Sequence, residues 1–455
     1  MWKHKRGPGI SLFCAWGFLL AASWGYAANC AVPSGTYPTI QSAINDSSCT
    51  EIDVAAGFYY EHLLITRTVT IQGDTASPTV IGATGLVGSV IVDEGSGTTL
   101  TLSHLTITGG SASLGGGLNM DGTITLNMNY CTVSGNTATV ADPASQPGAA
   151  GGGIFLDGAT LNLFNSTVAG NTAQAGTIPG VGGGIYGVGS GTVNIVSSTI
   201  ADNVAEGGGS TPGGAIFLLE PSAMLADTIV AGNTGGNCFG TITDNGYNMS
   251  DDDTCGFSAG TSQNSVATLN LGALASNGGP TQTIALGTAS AAIDQIPDGT
   301  SGCGTTVPDD QRGVARPQNG MCDIGAFEVV TAPCPRGQGF WKNAPDAWPV
   351  DSLMLGSETY TEEELIALLE MNNKKDASLI LADQLIAAKL NVLMGSEEPS
   401  EVADAITQAD ALLSGLSGTL PYGVRSKTAL GQMMVSLGAT LESYNQDVLT
   451  PICAP

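Results

Sequence analysis

A glycine-rich unit recurs through the middle of this chain, and two markers keep the same phase in every copy. Glycine triplets followed by an aliphatic residue occur at Gly115-Gly116-Gly117-Leu118, Gly151-Gly152-Gly153-Ile154 and Gly182-Gly183-Gly184-Ile185, with a variant at Gly213-Gly214-Ala215-Ile216. The aliphatics lie 36, 31 and 31 residues apart. Each is followed 17 or 18 residues later by an asparagine, in Gly135-Asn136, Gly170-Asn171, Asp202-Asn203 and Gly232-Asn233. Between the markers, apolar and polar residues alternate, as at Leu161-Asn162-Leu163 and Val193-Asn194-Ile195. Period two is the signature of a half-buried strand. No helical periodicity intervenes, which excludes βαβ units. A unit of 31–36 residues therefore predicts one rung of a parallel β-helix, with three short strands per rung. Such a rung hides its apolar face only by stacking on its neighbours.

The markers have mechanical explanations. Glycine permits positive φ and close approach between rungs. Asparagines at one corner of successive rungs can pass a hydrogen bond from amide to amide, so Asn136, Asn171, Asn203 and Asn233 read as a structural ladder. The stretches between asparagine and triplet vary in length: 137–150, 172–181 and 204–212. Inserts of this kind on one side of a solenoid are where binding is expected.

Charge narrows the partners. The 455 residues hold 13 Lys+Arg against 40 Asp+Glu, a net charge of −27. No Lys or Arg occurs from Thr68 to Gln311, 244 residues that span every rung. Neither nucleic acid nor an anionic membrane suits such a surface, which cannot neutralise an array of phosphates.

Residues 1–27 read as a secretory signal. Lys3, His4, Lys5 and Arg6 precede an apolar stretch of 13 residues, Ile10 to Ala22, and small residues at Gly25 and Ala27 suit cleavage after Ala27. The stretch is shorter than the ~20 residues a membrane-spanning helix needs, and no later transmembrane segment is expected. Cleavage removes three basic residues, leaving 10 basic and 40 acidic groups, and one cysteine, Cys14. An oxidising, extracellular or cell-surface destination makes disulfides plausible for the other cysteines. Proximity in sequence suggests Cys30–Cys49, Cys238–Cys255, Cys303–Cys322 and Cys334–Cys453, although spacing alone does not fix connectivity. Cys131, in a strand-like run, is left over and reads as a buried, inert thiol. There is no Cys-x-x-Cys and no Cys/His cluster, so a zinc site is not expected.

Before the rungs the chain reads Gly35-Thr36-Tyr37-Pro38-Thr39-Ile40-Gln41-Ser42-Ala43-Ile44, then Ile52-Asp53-Val54 and Gly57-Phe58-Tyr59-Tyr60-Glu61, then Val69-Thr70-Ile71-Gln72-Gly73. This resembles the start of pectin-lyase-like right-handed parallel β-helix proteins. The resemblance covers about residues 36–240 and implies a short amphipathic helix capping the open end. A second stretch contains Asn277-Gly278-Gly279-Pro280-Thr281-Gln282, Ala292-Ile293-Asp294, Asp310-Gln311-Arg312-Gly313 through Arg316-Pro317, and Cys322-Asp323-Ile324-Gly325-Ala326-Phe327-Glu328. It is similar to the choice-of-anchor Q domain of bacterial secreted β-helix proteins. That likeness implies a surface or extracellular protein with no assigned reaction. The Gly213-Gly214-Ala215-Ile216 variant also resembles polymorphic outer-membrane protein repeats, but their Phe-x-x-Asn partner motif is absent.

After Cys334 the pattern becomes helical. Thr361-Glu362-Glu363-Glu364 predicts a capping box and a helix to about Met371. Further helices are predicted over 376–394, 400–413 and 426–445, the first with apolar residues spaced for one face and Gly395 to stop it. Gly337-Gln338-Gly339-Phe340-Trp341-Lys342-Asn343 opens the region and resembles a helical module of unassigned function in other bacterial secreted proteins. Phe340, Trp341 and Trp348 are candidates either for sugar stacking or for packing. The fold class expected is mainly β. A right-handed parallel β-helix over 28–260 is followed by a choice-of-anchor Q-like part over 261–330 and a small all-α domain over 331–455, stapled by Cys334 and Cys453.

Function is the less constrained reading. Polysaccharide lyases of this fold need an Arg or Lys base, and the nearest here are Arg67 and Arg312. Hydrolases need two or three carboxylates aimed at one cleft. Rung candidates are Asp93, Glu94, Asp121, Asp157, Asp202, Glu206, Glu220 and Asp227. Asp121 and Asp157 follow their marker aliphatics by the same offset, which predicts adjacent rungs, though Asp-Gly is also an ordinary turn signal. Asp251, Asp252 and Asp253, and Asp309 with Asp310, are candidates for calcium, the one cofactor the sequence suggests. The glycine runs lack the Lys-Ser/Thr of a phosphate loop. The favoured expectation is a non-enzymatic adhesion, binding or scaffold protein with an extracellular glycan or surface protein as partner. The alternative is a glycoside hydrolase acting on a neutral polysaccharide through Asp121 and Asp157.

Overall fold

The computed structural model describes residues 29–140, 148–174, 180–206, 213–318, 320–330, 332–372, 375–446 and 448–449. The predicted signal, Cys453 and part of each variable insert lie outside the described residues. The chain divides into two compact units. The first runs to Gly287 and includes Gln311–Gly313; the second comprises Thr288–Asp310 and Val314 onward.

The first unit is built from coils that stack in register. One coil can be followed from Ile154. Strand Ile154–Asp157 is followed by a corner at Gly158, then strand Thr160–Phe164. A second corner at Asn165, φ +43°, leads to Thr167–Ala169, and Gly170-Asn171 leads to Thr172–Gln174. A complete coil thus holds four short strands where the alternation predicts three. The extra corner arises because Asp157-Gly158 shifts the inward set by one residue, from Ile154 and Leu156 to Ala159, Leu161 and Leu163.

Every coil pairs in parallel with the next. Leu118, Ile154, Ile185 and Ile216 are consecutive partners, as are Leu126, Leu161, Val193 and Ala223, and Val133, Val168, Ile200 and Val230. These side chains are buried and make one continuous core. Burying a Leu or Ile contributes about 1.5–3 kcal/mol relative to exposure, and each coil's share is realised only against its neighbours. The stacks form sheets of 14, 8 and 4 strands. The largest contains two columns joined by the long strand Ile216–Ala226, which pairs with both. Long parallel sheets stacked in rungs are consistent with a parallel β-helix.

A short helix, α1 (Ile40–Ile44), lies over the first coils. Thr39 and Ser42 form a reciprocal capping box, and Ile40, Ala43 and Ile44 enter the core. Both Glu61 carboxylate oxygens accept from the amides of Ile40 and Gln41. The Cys30–Cys49 disulfide closes this end. At the other end of the stack Cys238 is bonded to Cys255, with Phe257 in the core. An antiparallel hairpin, Leu271–Ala275 with Thr283–Leu286, then lays Ile284 against Ala169 and Ala201 on the outer face of the eight-stranded sheet.

The second unit holds a small ladder, Ile296–Pro297 with Met321–Cys322, beside the Cys303–Cys322 disulfide. Its helices are α2 (Gln338–Asn343), α3 (Glu362–Glu370), α4 (Ala377–Leu393), α5 (Ser400–Ser414) and α6 (Ala429–Asn445). The Thr361 and Glu364 capping box is formed. The region is not purely helical, because Ser352–Leu355 and Glu358–Thr361 pair as an antiparallel hairpin. Helix α4 is buried on nearly all sides rather than on one face, from Ala377 and Leu379 to Leu390 and Asn391. It is the central helix of the bundle, and a helix apolar all round needs neighbours on every side. Cys334 is disulfide-bonded.

Candidate functional site

The recurrent asparagines stand in a column. Asn136 Nδ2 donates to Asn171 Oδ1, Asn171 Nδ2 to Asn203 Oδ1, and Asn203 Nδ2 to Asn233 Oδ1, each at 3.0 Å. Each acceptor oxygen also takes the backbone N–H of the preceding asparagine, at 2.9–3.1 Å. The same amides donate to strand carbonyls, as Asn171 does to Val133 and Ala169. A buried amide left without these partners would cost heavily, and here donor and acceptor are both used. The two sequence markers prove to be one device. A Cβ at Gly153 or Gly184 would stand 3.1–3.2 Å from the ladder amide and 2.7 Å from the next coil's carbonyl, so the triplet makes room for the asparagine. The residue before each asparagine has positive φ: Gly135, Gly170, Asp202 and Gly232.

The ladder ends on the acidic run. Asn233 Nδ2 donates to Asn237 Oδ1 at 2.8 Å, and Asn237 Nδ2 donates to Asp251 Oδ1 at 2.7 Å. Asp251 Oδ2 accepts from the Gly232 amide, and Asp252 accepts from the amides of Asn237 and Thr254. Asp253 is exposed, and its backbone carbonyl accepts from Gly256. Asp251 and Asp252 thus receive the backbone and amide donors that the end of a stack leaves over. Among the described residues no group of three or more His, Cys, Asp or Glu gathers as metal ligands would.

The outer face of the largest sheet carries the paired rung acids. Asp121 and Asp157 are direct register partners on adjacent coils, both exposed and each followed by a corner glycine. Asp157 acts on its neighbour: burial, then the Asp157 charge, raises the Tyr186 phenol above its ordinary pKa. Tyr186 belongs to an aromatic column. Phe155–Tyr186, Tyr186–Phe217 and Phe217–Phe239 stack with centroids 5.3, 5.6 and 4.5 Å apart and planes within 4–11° of parallel. Its signal was present in the sequence, since an aromatic follows the marker aliphatic in three successive copies: Ile154-Phe155, Ile185-Tyr186 and Ile216-Phe217. Beside it runs an outward amide ladder, Asn194 to Asn162 to Asn127, at 2.7 and 2.8 Å.

The remaining rung acids are scattered. Asp93 is buried, accepts from the Gly95 amide and Thr98 hydroxyl, and is raised by that burial. Asp202 and Asp227 occupy positive-φ corners, at 55° and 54°. Glu94, Glu206 and Glu220 are exposed. The two basic residues nearest the rungs are engaged elsewhere. Arg67 donates to the carbonyls of Ile44, Asp46 and Cys49 at the end of α1, and Arg312 donates to the Asn277 carbonyl.

The second unit contains a buried ionic cluster from the second block of resemblance. Arg316 donates to the carbonyls of Asp323 and Gly325 and lies 3.6 Å from Glu328 Oε2. Glu328 accepts from the amides of Gln318 and Asp323; Asp323 accepts from those of Asp294 and Val329; Asp310 accepts from those of Val314 and Glu328. Burial pushes Asp323 up to about 6 and Glu328 up to about 7, against the opposing pull of Arg316. The oxygens that would meet a substrate are spent on backbone amides, so the cluster is a clasp. Gln311 acts within the first unit, sharing hydrogen bonds with Thr132, Thr167 and Thr281.

Trp341 is 1% exposed and donates from Nε1 to the Arg336 carbonyl and Asn391, and Trp348 Nε1 donates to the Trp341 carbonyl. Phe340 is 41% exposed, with the Arg336 guanidinium over its ring. Trp341 is therefore a core pillar, Trp348 is half-buried, and Phe340 is the most open of the three rings. Cys131 is fully buried, and burial pushes its thiol up to about 12. Asp309 is half-buried and its backbone bridges Ala315. Among the described residues no helix is long and apolar enough to cross a membrane. No family model matches the chain, and no curated protein matches it.

Proposed function

We propose that the chain is a secreted or cell-surface bacterial protein without catalytic activity. Its right-handed, pectin-lyase-like β-helix presents an elongated face for adhesion or binding, with a choice-of-anchor Q-like clasp and a helical module as the part that attaches or interacts. The observation that carries this reading is the use to which the polar groups are put. Apart from the register pair Asp121 and Asp157, carboxylates in and beside the stack sit at corners, in caps or apart from one another, while one column of the largest sheet's outer face repeats uncharged Thr and Asn in register. A face of that kind suits neutral, hydroxyl-rich partners and repels acidic ones. The disulfides Cys30–Cys49, Cys238–Cys255 and Cys303–Cys322 support an oxidising destination.

The test is a glycan array combined with a reducing-sugar assay on protein lacking its first 27 residues. Binding to neutral glycans without release of reducing ends is the expected result. Turnover would sink the proposal and favour the second reading, a glycoside hydrolase, for which the side-by-side register of Asp121 and Asp157 speaks. In that event the double variant Asp121→Asn, Asp157→Asn would abolish the activity.

A further inference from the structure

We infer that the first unit holds a receptor cleft for one neutral sugar residue, on the outer face of its eight-stranded sheet and away from the paired acids. The inference rests on the binding reading above and adds the place and the ligand chemistry.

The cleft exists because the sheet is only partly covered. The hairpin packs Ile284 on Ala169 and Ala201, and Thr132 donates to the Gln282 carbonyl. Its tip, 276–282, ends over Ser134 and Thr106, and the face beyond, toward the first coils, is open. Phe58 stands on the far side, register partner of Val80, which in turn pairs with Thr106. The space enclosed is about 320 Å³, at the small end of the roughly 300–1,000 Å³ of small-molecule sites. It has room for a ring and not for an extended chain.

The lining sets the chemistry. None of the lining residues is charged. Anions and cations would lose solvation there without gaining a partner. Thr106, Thr108, Ser134 and Gln282 line the cleft, and their side-chain hydroxyls and amide make no hydrogen bond among the described residues. A wholly apolar ligand would strand those groups. Opposite them is the Phe58 ring, 46% exposed, held by Tyr60 with centroids 4.3 Å apart. The ring lies across Gly82, where an added Cβ would come within 2.6 Å of it. One apolar ring face opposite a set of free hydroxyls and an amide matches a pyranose, which has a C–H face and equatorial hydroxyls.

The experiment measures binding of neutral mono- and disaccharides, with their uronic-acid counterparts as comparison, to the protein and to three variants. Neutral sugars should bind, and added salt should leave the affinity unchanged because no charge is involved. Phe58→Ala should weaken binding about tenfold, and Phe58→Trp should keep it, since an aromatic contact of this size is at stake. Gly82→Ala should weaken it too, by displacing the ring. Equal melting curves for wild type and Phe58→Ala would separate loss of contact from loss of fold. Neutral-sugar binding that ignores both Phe58→Ala and Gly82→Ala would overturn the cleft and leave the binding reading standing. Preference for uronic acids would overturn the ligand class. Absence of binding to any glycan would sink both.

Discussion

The two units bury polar groups in opposite ways. In the stacked coils the buried polar column is neutral and periodic: Asn136, Asn171, Asn203 and Asn233 each perform the same hydrogen bonds one rung apart. In the second unit the buried polar centre is charged and singular, with Arg316 beside Asp323 and Glu328 and the Glu328 amide donating to Asp310. A repeated device divides its contribution among nearest neighbours, so one defect is local. A single ionic clasp concentrates it, so one defect leaves several carboxylates uncompensated.

The largest effect should come from removing the clasp's cation. Arg316→Met is expected to destabilise the second unit by roughly 3–5 kcal/mol, because buried Asp323 and Glu328 lose the positive charge beside them. Beyond residue 27 the tryptophans are Trp341 and Trp348, both in this unit, so urea unfolding followed by their fluorescence reads it selectively. An unchanged midpoint would show that the carboxylates need only their amide donors.

The same clasp predicts a pH dependence that the asparagine ladder lacks. Unfolded carboxyls lose their protons near pH ~4, whereas folded Asp323 and Glu328 hold theirs to about 6 and about 7. Between those limits the folded state binds more protons, so stability is greatest at the acid end and falls as pH rises through the window. Melting followed by tryptophan fluorescence should therefore occur at higher temperature at the acid end of that window than above it. Melting of the β-sheet signal should shift less. Equal shifts in both signals would erase the contrast between the units.

Within the ladder, position should decide the cost. Asn171→Ala removes a fully buried amide and strands the carbonyls of Val133 and Ala169 and the amides of Asn136, for about 2–4 kcal/mol. Asn233, only half-buried, should cost less when changed to Ala. Chemical denaturation read by circular dichroism orders the two, and the reverse order would argue that the end of the stack is its weak point. The smallest effect is a gain. Asp202 holds φ +55° where the equivalent residues Gly135, Gly170 and Gly232 are glycine. Asp202→Gly should stabilise by about 1 kcal/mol by relieving the left-handed backbone, measured in the same titration.

Much of the stack was legible because it repeats. Alternation at Leu161 and Leu163, the triplets and the Gly-Asn pairs each recur at the coil's length, and a period survives ignorance of tertiary structure. The helices of the second unit were legible for another local reason, their caps and 3.6-residue spacing. The fourth strand was not, because Asp157-Gly158 looks like any turn and its one-residue slip is visible only once inward and outward faces are known. The hairpin Ser352–Leu355 with Glu358–Thr361 was hidden by its shortness.

Sequence by itself determined that coils must stack, that an asparagine and a glycine triplet each recur once per coil, and that the rungs carry no Lys or Arg from Thr68 to Gln311. These follow from periodicity and composition, which are properties of the chain in order. Tertiary structure alone decided that Asp251 and Asp252 finish the ladder and that Arg316 is bound to Glu328. It also brought Phe58, Thr106, Ser134 and Gln282 around one cleft. Those groupings join residues tens to hundreds of positions apart, and only the winding of the backbone, not any local preference, sets the distances between them.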